Sequence, residues 1–384
     1  MISKKKAIIY GVLLVVITFM ITSTLNIALG GKVVIPKETY EAYKKYNKMI
    51  ALEELVKDDF YQEASDDKLV DGAIKGMFSG LDDPYSQYYT KTEFEKLKEQ
   101  TSGSFVGIGV YISPTSDDDH ITIIAPIEGS PAEKSGIKAG DKILKVDGKV
   151  VSAKNSDEAI TMIKGKKGTE VELTIKRGEQ ILDVKVKRDE IVSKTVEGKV
   201  LDNNIGYIKI TSFSEHTNKE FENTLNTLKE SNIKGLVIDL RDNPGGLLNV
   251  CKDIADSLIG EGTIVYTKDN KGNTEYLKSD KEKLGLPIAV LTNEGSASAS
   301  EILTGAIIDN KVGISVGTTT FGKGLVQSVR ELKDGTGYKL TTAQYFTPSG
   351  EYINGKGINP TIEEKDEEKQ LDVALKWIKE QISK

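Results

Sequence analysis

Two segments of this chain hold residue types that can do chemistry together. One is a run of small residues, Asn293-Glu294-Gly295-Ser296-Ala297-Ser298-Ala299-Ser300-Glu301, and the other a glycine-bracketed lysine, Thr320-Phe321-Gly322-Lys323-Gly324-Leu325-Val326-Gln327. The first follows an apolar run at 287–291 that reads as a buried strand, and it leads into 302–308, which reads as a helix. A small-residue turn between strand and helix presents a hydroxyl at a helix N-terminus, where unpaired backbone N–H groups favour developing negative charge. A serine needs a base to become a nucleophile, and a lysine that has lost its proton is such a base. Free lysine titrates near 10.4, so neutrality near pH 7 needs a shift of about three units, or about 4 kcal/mol, which burial can supply. Phe321, Gly322 and Gly324 suit a confined site with little side-chain charge around that amine.

Histidine is scarce. The chain has only His120, after an aspartate run at 117–119 that reads as a hairpin tip, and His216, beside Thr217 and Asn218 at a helix start. Neither has the setting of a base held by a third group, so a Ser-His-Asp arrangement does not fit. Asp239 and Asp242 lie on one loop with no histidine near them, too little for a metal site. No metal and no cofactor is expected. Cys251, the sole cysteine, forms no intrachain disulfide and reads as a small buried hydrophobe in an apolar helical stretch.

The two segments resemble the active-site signature of the C-terminal processing peptidases, or tail-specific proteases, which are serine peptidases carrying a PDZ domain. The resemblance runs from about Tyr40 to the C-terminus and departs from the family pattern at none of the catalytic positions. It implies that Ser298 is the nucleophile, that Lys323, 25 residues on, is the base, and that Gln327 orients the lysine amine without adding a counter-charge. The oxyanion donors would be backbone N–H groups. Ala299, directly after the nucleophile, is one; the resemblance places the other in the Pro244-Gly245-Gly246 turn, without choosing between Gly245 and Gly246. Ser296 and Ser300 read as turn and cap residues, and Glu301 as a first-turn acid favoured by the helix dipole.

These residues must be positioned by a long chain. At 384 residues it exceeds one compact core. A net charge of −6, with no basic stripe carrying interleaved aromatics, excludes a nucleic-acid partner. Lys4-Lys5-Lys6 precede an apolar stretch at 7–29, long enough to cross a hydrocarbon core of about 30 Å. The basic cluster should stay cytoplasmic, so residues 1–31 read as a cytoplasmic stub and single-pass cell-membrane anchor, with the catalytic domain extracytoplasmic. A cleaved signal peptide is the rival reading, but the run is longer than a usual h-region and 23–31 offers no clean small-x-small site.

Residues 36–100 read as an N-terminal helical region, with a stripe of Tyr40, Tyr43, Tyr46, Met49 and Ile50. A second helix at 69–81, a turn at Asp82-Asp83-Pro84-Tyr85-Ser86 and a short charged helix at 91–98 follow. The stripe reads either as packing on the rest of the protein or as a homodimer contact, which relatives use in this region. Residues 101–188 have an order of strands and helices that resembles a PDZ domain. Such domains add a peptide strand to a sheet edge and take its carboxylate on a Gly-rich turn. Phe105, Val106, Gly107, Ile108 and Gly109 would form that turn, with Ile160 and Ile163 lining the groove from the helix at 156–164.

From 189 to 384 the pattern alternates strands and helices: strands at 205–210, 235–240 and 337–345, helices at 218–231, 247–259 and 366–382. That is an α/β peptidase core, and the resemblance implies a ClpP/crotonase-like fold with the PDZ domain inserted. The expected activity is a membrane-anchored serine endopeptidase that uses a Ser-Lys dyad on protein or peptide substrates with accessible C-termini. A tethered PDZ scaffold and an acyl-ester hydrolase are the competing classes.

Overall fold

The computed structural model describes residues 3–29, 35–113 and 119–384. Asp117 and Asp118 of the expected hairpin tip, and Met1, Ile2, Gly30 and Gly31 of the expected stub and anchor, lie outside them. The chain divides into a unit at 1–76 and a unit at 77–384. The first holds helices α1 (Lys4–Leu29), α2 (Lys37–Asp59) and most of α3 (Asp66–Ser79). Lys4–Ser23 is long and apolar enough to cross a membrane. Helix α2 buries none of its residues, and Tyr40, Tyr43 and Tyr46 are about half exposed.

The second unit opens with β1 (Gln87–Tyr89) and α4 (Lys91–Ser102). A reciprocal cap starts α4: Thr90 Oγ1 accepts from the Glu93 N–H at 3.4 Å, and Glu93 Oε2 accepts from the Thr90 N–H at 2.8 Å. Gly103, at φ 69°, ends it in the left-handed conformation that glycine tolerates best.

β2 (Ser104–Gly107) then leads into β3 (Val110–Ser113), β4 (Ile121–Pro126), α5 (Pro131–Lys134), β5 (Lys142–Val146), β6 (Lys149–Val150), α6 (Ser156–Ile163), β7 (Glu170–Arg177) and β8 (Gln180–Lys187). The sheet runs β3-β4-β5-β7-β8, which leaves β3 an edge strand with one side unpaired. β9 (Asp189–Val192) pairs antiparallel with β2, so one short ribbon carries the chain into and out of this module. The residues expected to bind a peptide fall in different places. Ile108 and Ile163 are 1% and 6% exposed and pack in the module's own core with Ile121, Ile143 and Leu173. Phe105, Val106 and Gly107 are ribbon residues paired with Ile191, Glu190 and Asp189. The turn proper narrows to Gly107–Gly109, and of the two helix residues only Ile160 keeps open surface.

The remaining elements are β10 (Val196–Leu201), β11 (Ile205–Ile210), α7 (Thr217–Glu230), β12 (Gly235–Asp239), α8 (Leu248–Ile259), β13 (Gly262–Asp269), β14 (Thr274–Ser279), β15 (Ile288–Thr292), α9 (Ala299–Asp309), β16 (Gly313–Gly317), β17 (Leu325–Glu331), β18 (Gly337–Phe346), β19 (Ile362–Glu363) and α10 (Glu367–Ile382). One sheet runs β10-β11-β12-β15-β16-β19, parallel throughout except for β10. β12 and β15 are buried at every position, which is why both read as unbroken apolar runs. Leu236 and Ile238 face α7, α8 and α9; Val237, Ala289 and Leu291 face α10 through Ala374 and Ile378.

A second sheet, β1-β18-β13-β14 with β17 on β18, lies beyond α9. Helix α9 is thus enclosed, with residues 299–307 all buried, and its polar residues Ser300, Glu301 and Thr304 are buried along with its apolar ones. Leu303, fully buried on α9, has no room to be lost. Leu303→Ala should cost about 2–5 kcal/mol, read as a lowered urea midpoint with an unchanged slope.

Candidate active site

The turn from β15 into α9 is held almost wholly by hydrogen bonds to the loop after β12. Ser296 Oγ donates to the Leu240 carbonyl at 2.8 Å and accepts from the Asn293 N–H at 3.0 Å. Ser300 Oγ donates to the Asn243 carbonyl at 2.9 Å, and the Ala297 N–H donates to the same oxygen at 3.0 Å. Ser296 and Ser300 are therefore spent on structure. Ser298, between them, sits at φ 56°, ψ −112°, a conformation that L-residues avoid. Such a strained strand-to-helix elbow pushes a nucleophile's hydroxyl clear of the backbone. Gly245 must be glycine beside it, because its φ is 95° and a Cβ there would stand 2.6 Å from the Ala297 oxygen and 2.8 Å from Ser298 Cβ.

Glu301 is fully buried and does more than cap its helix. Its Oε2 accepts from the Ser298 N–H at 2.8 Å and from the Lys323 N–H at 2.9 Å. Its Oε1 accepts from Thr320 Oγ1 at 2.6 Å and from the Gly322 N–H at 2.8 Å. The serine turn and the lysine loop are thereby pinned to one carboxylate. On the carbonyl side, the Tyr345 hydroxyl on β18 lies 3.1 Å from the Ser298 oxygen and also hydrogen-bonds the Lys323 oxygen, so its single proton serves both. Neither Glu301 nor Tyr345 was marked for this task by local sequence; only the pairing of distant loops reveals it.

Ser298, Ala299, Gly245, Gly246, Lys323 and Gln327 all line one cleft of about 440 Å³. The Gly245 N–H donates to Asn243 Oδ1 at 2.9 Å and is committed. The Gly246 and Ala299 N–H groups meet no acceptor among the described residues. The cleft thus offers Gly246 and Ala299, not Gly245, as unpaired donors. Burial lowers the pKa of the Lys323 amine, and the nearby Lys339 lowers it further, while Asp83 and Glu301 pull the other way. The net direction is down.

Two expectations are not met at this level. No hydrogen bond joins the Lys323 amine to the Ser298 hydroxyl among the described residues; the amine instead lies 4.8 Å from the centre of the Tyr85 ring. Gln327 does not reach the lysine either, since its Nε2 donates to the Leu325 carbonyl at 3.1 Å and to Thr341 Oγ1 at 3.5 Å. Asp239 is taken by Arg241, at 2.6 and 2.9 Å, and by the Tyr207 hydroxyl at 2.7 Å. Asp242 accepts from Asn293 Nδ2 at 2.9 Å. Both carboxylates are thus engaged by protein groups, and no metal-holding cluster occurs among the described residues. Burial pushes the Cys251 thiol far above its usual range, which leaves it inert.

Residues 204–364 match peptidase family S41, residues 96–176 a PDZ domain, and residues 28–93 the activating protease CtpB N-terminal domain. The carboxy-terminal processing protease CtpA of Bacillus subtilis (strain 168) is 43% identical over 354 residues, covering 91% of this chain and 76% of that protein. The chain belongs to peptidase family S41. A probable CtpA-like serine protease of Staphylococcus aureus (strain COL) is 39% identical over 352 residues, spanning 91% of this peptidase and 70% of that one. Among solved structures, the photosystem II D1 C-terminal processing protease aligns with a TM-score of 0.50 at 28% identity, over 87% of this peptidase and 94% of that chain. This chain is accordingly a serine-type C-terminal processing protease with a PDZ domain, and proteins or peptides are its substrates.

Glu301→Gln offers an –NH2 where the peptidase needs an acceptor for backbone N–H groups. The expected outcome is a loss of about 1–3 kcal/mol of stability, from leaving donors buried and unpaired, with a fall in turnover larger than that destabilisation alone produces. Chemical denaturation and peptide hydrolysis on the same preparation measure the two effects.

Proposed function

We propose that this chain is a membrane-anchored serine endopeptidase that cuts proteins recognised by their C-terminal tails, with Ser298 and Lys323 as its dyad. The observation that carries the reading is one cleft holding a strained serine, a half-buried lysine whose pKa is lowered, and two unpaired backbone N–H groups.

In the first half-reaction, the Ser298 hydroxyl attacks the scissile carbonyl and passes its proton to the neutral Lys323 amine. The negative charge that develops on the carbonyl oxygen is met by the Ala299 and Gly246 N–H groups, each worth about 3 kcal/mol when well placed. The Lys323 ammonium then protonates the leaving amine, giving an acyl-serine. Water attacks that ester and gives a proton to Lys323, which passes it to the Ser298 oxygen as the ester C–O bond breaks, releasing the carboxylic acid product and restoring the serine hydroxyl and the neutral amine. Gln327, close to Lys323 in the same cleft, would orient the amine once a substrate displaces its present contacts.

The unpaired side of β3, next to the Gly107–Gly109 turn and Ile160, is the place where a substrate tail would add as a strand. The sheet with one antiparallel edge strand, stacked on helices, fits the ClpP/crotonase-like arrangement. The exposed tyrosine stripe of α2 supports a contact between two copies over core packing. The apolar Lys4–Ser23 helix after a basic N-terminus supports an anchor in the cell membrane with the catalytic unit extracytoplasmic.

Ser298→Ala and Lys323→Ala should each abolish turnover, by up to about a millionfold for groups that act as a unit; hydrolysis by either purified variant at the wild-type rate contradicts the dyad. Because the neutral amine is the active form, kcat/KM should rise with pH through the Lys323 pKa. Lys339→Met removes a cation that depresses that pKa, so the rising limb should move to higher pH.

A further inference from the structure

The turn at Asp82-Asp83-Pro84-Tyr85-Ser86 takes no part in the chemistry above, yet it is fixed against the base with some care. Ser86 Oγ donates to Asp83 Oδ2 at 2.6 Å and accepts from the Thr341 N–H at 3.0 Å. The Tyr85 N–H donates to Asp83 Oδ1 at 3.1 Å, closing an Asx turn. Strand β1 then continues the attachment, with Gln87 opposite Lys339 on β18. This double anchorage presents the Tyr85 ring to the Lys323 amine, 4.8 Å from the ring centre. Among the described residues that amine makes no hydrogen bond, so the ring is the contact that holds it.

We propose that the turn at 83–86 is a seat for the Lys323 ammonium, with Tyr85 and Asp83 as positioning residues that hold it away from the Ser298 hydroxyl until it loses its proton. The inference rests on the Ser298–Lys323 reading. An aromatic face attracts a cation and has little hold on a neutral amine. A nearby carboxylate likewise favours the charged form. The seat therefore competes with catalysis, and deprotonation releases the amine toward the serine.

Three charged groups and burial act on the amine, in opposite directions. Asp83, from the turn, and Glu301, from α9, favour the ammonium; burial and Lys339, from β18, favour the neutral form. The Asp83 carboxyl itself is held below its usual range: burial would raise it, but the hydrogen bonds from Ser86, Thr341 and Tyr85 and the Lys323 charge outweigh that. Tyr345, from β18, stays a neutral phenol, because burial and then Glu301 push its pKa well up.

The test is the pH dependence of kcat/KM for the full chain in detergent, with fluorescently labelled casein as the probe substrate. Four proteins are compared: wild type, Tyr85→Leu, Tyr85→Phe and Asp83→Asn. Tyr85→Leu keeps bulk but loses the ring, and its rising limb should move to lower pH by about half a unit to one unit. Asp83→Asn, which can still accept the Tyr85 N–H, should move it in the same direction. Tyr85→Phe keeps the ring and should stay close to wild type.

A limb that stays put in folded Tyr85→Leu and Asp83→Asn overturns the seat. So does a uniform loss of activity at all pH values, which would mark a purely structural turn. If Tyr85→Leu melts too low to assay, Asp83→Asn decides alone. The two readings separate cleanly: an unmoved limb with an inactive Lys323→Ala protein removes the seat and leaves the dyad, whereas an active Lys323→Ala protein removes both.

Discussion

The active site hangs on a clamp made at the main chain. The Glu301 carboxylate binds the N–H groups of Ser298 and Lys323 on a single oxygen, and the Tyr345 hydroxyl reaches the carbonyls of the same two residues. Charge-assisted bonds of this kind are shorter and about twice as strong as neutral ones. Because the clamp grips backbone, it fixes where the serine turn and the lysine loop stand without using either side chain. Neither the Ser298 hydroxyl nor the Lys323 amine is a member of the clamp. Burial of Glu301 excludes water as a competing donor, and the enclosed helix α9 delivers it there.

Around that clamp the electrostatics are balanced. A lysine that serves as a base must be near neutrality, yet a cation that is too easily neutralised gives poor protonation of the leaving amine. Burial and Lys339 push in one direction and two carboxylates in the other. The turn after β12 is simpler. Asn243 takes the Gly245 N–H and the Ile210 carbonyl, locking the turn after β12, and this leaves the next amide, Gly246, unpaired toward the cleft. The strain at Ser298 is borne by the same network, since Ser296, Asn293 and Ser300 tie the elbow to Leu240, Asp242 and Asn243.

The residues that line the cleft were legible in the sequence because small residues and glycines at an elbow leave a local mark. The small-residue turn and the glycine-bracketed lysine stood out by composition, and the family resemblance singled out Ser298, Lys323 and the double glycine within them. Strands β12 and β15, buried on both faces, were equally plain as continuous apolar runs. The clamp was not legible, because Tyr345 and Glu301 act across separations of many residues and neither differs locally from an ordinary strand tyrosine or first-turn acid. That the Gly245 N–H is taken by Asn243 likewise shows only in the folded turn. The groove residues were misjudged for a related reason. Ile108 and Ile163 lie on the turn and the helix expected to bind a peptide, but side-chain direction sends both into the module's core. The turn at 82–86 was recognised by composition as a turn, and nothing in it announced that its tyrosine would face the base.

The account's central claim is that the cleft lowers the pKa of the Lys323 amine, chiefly by burial. The most direct measurement is an NMR titration of its side-chain amine, using isotopically labelled lysine in the folded Ser298→Ala protein and assigning the resonance by its loss in a Lys323→Arg control. The account predicts a pKa displaced below that of ordinary lysine. A Lys323 amine that titrates at or above the ordinary lysine value, both alone and with a peptide bound, would contradict it.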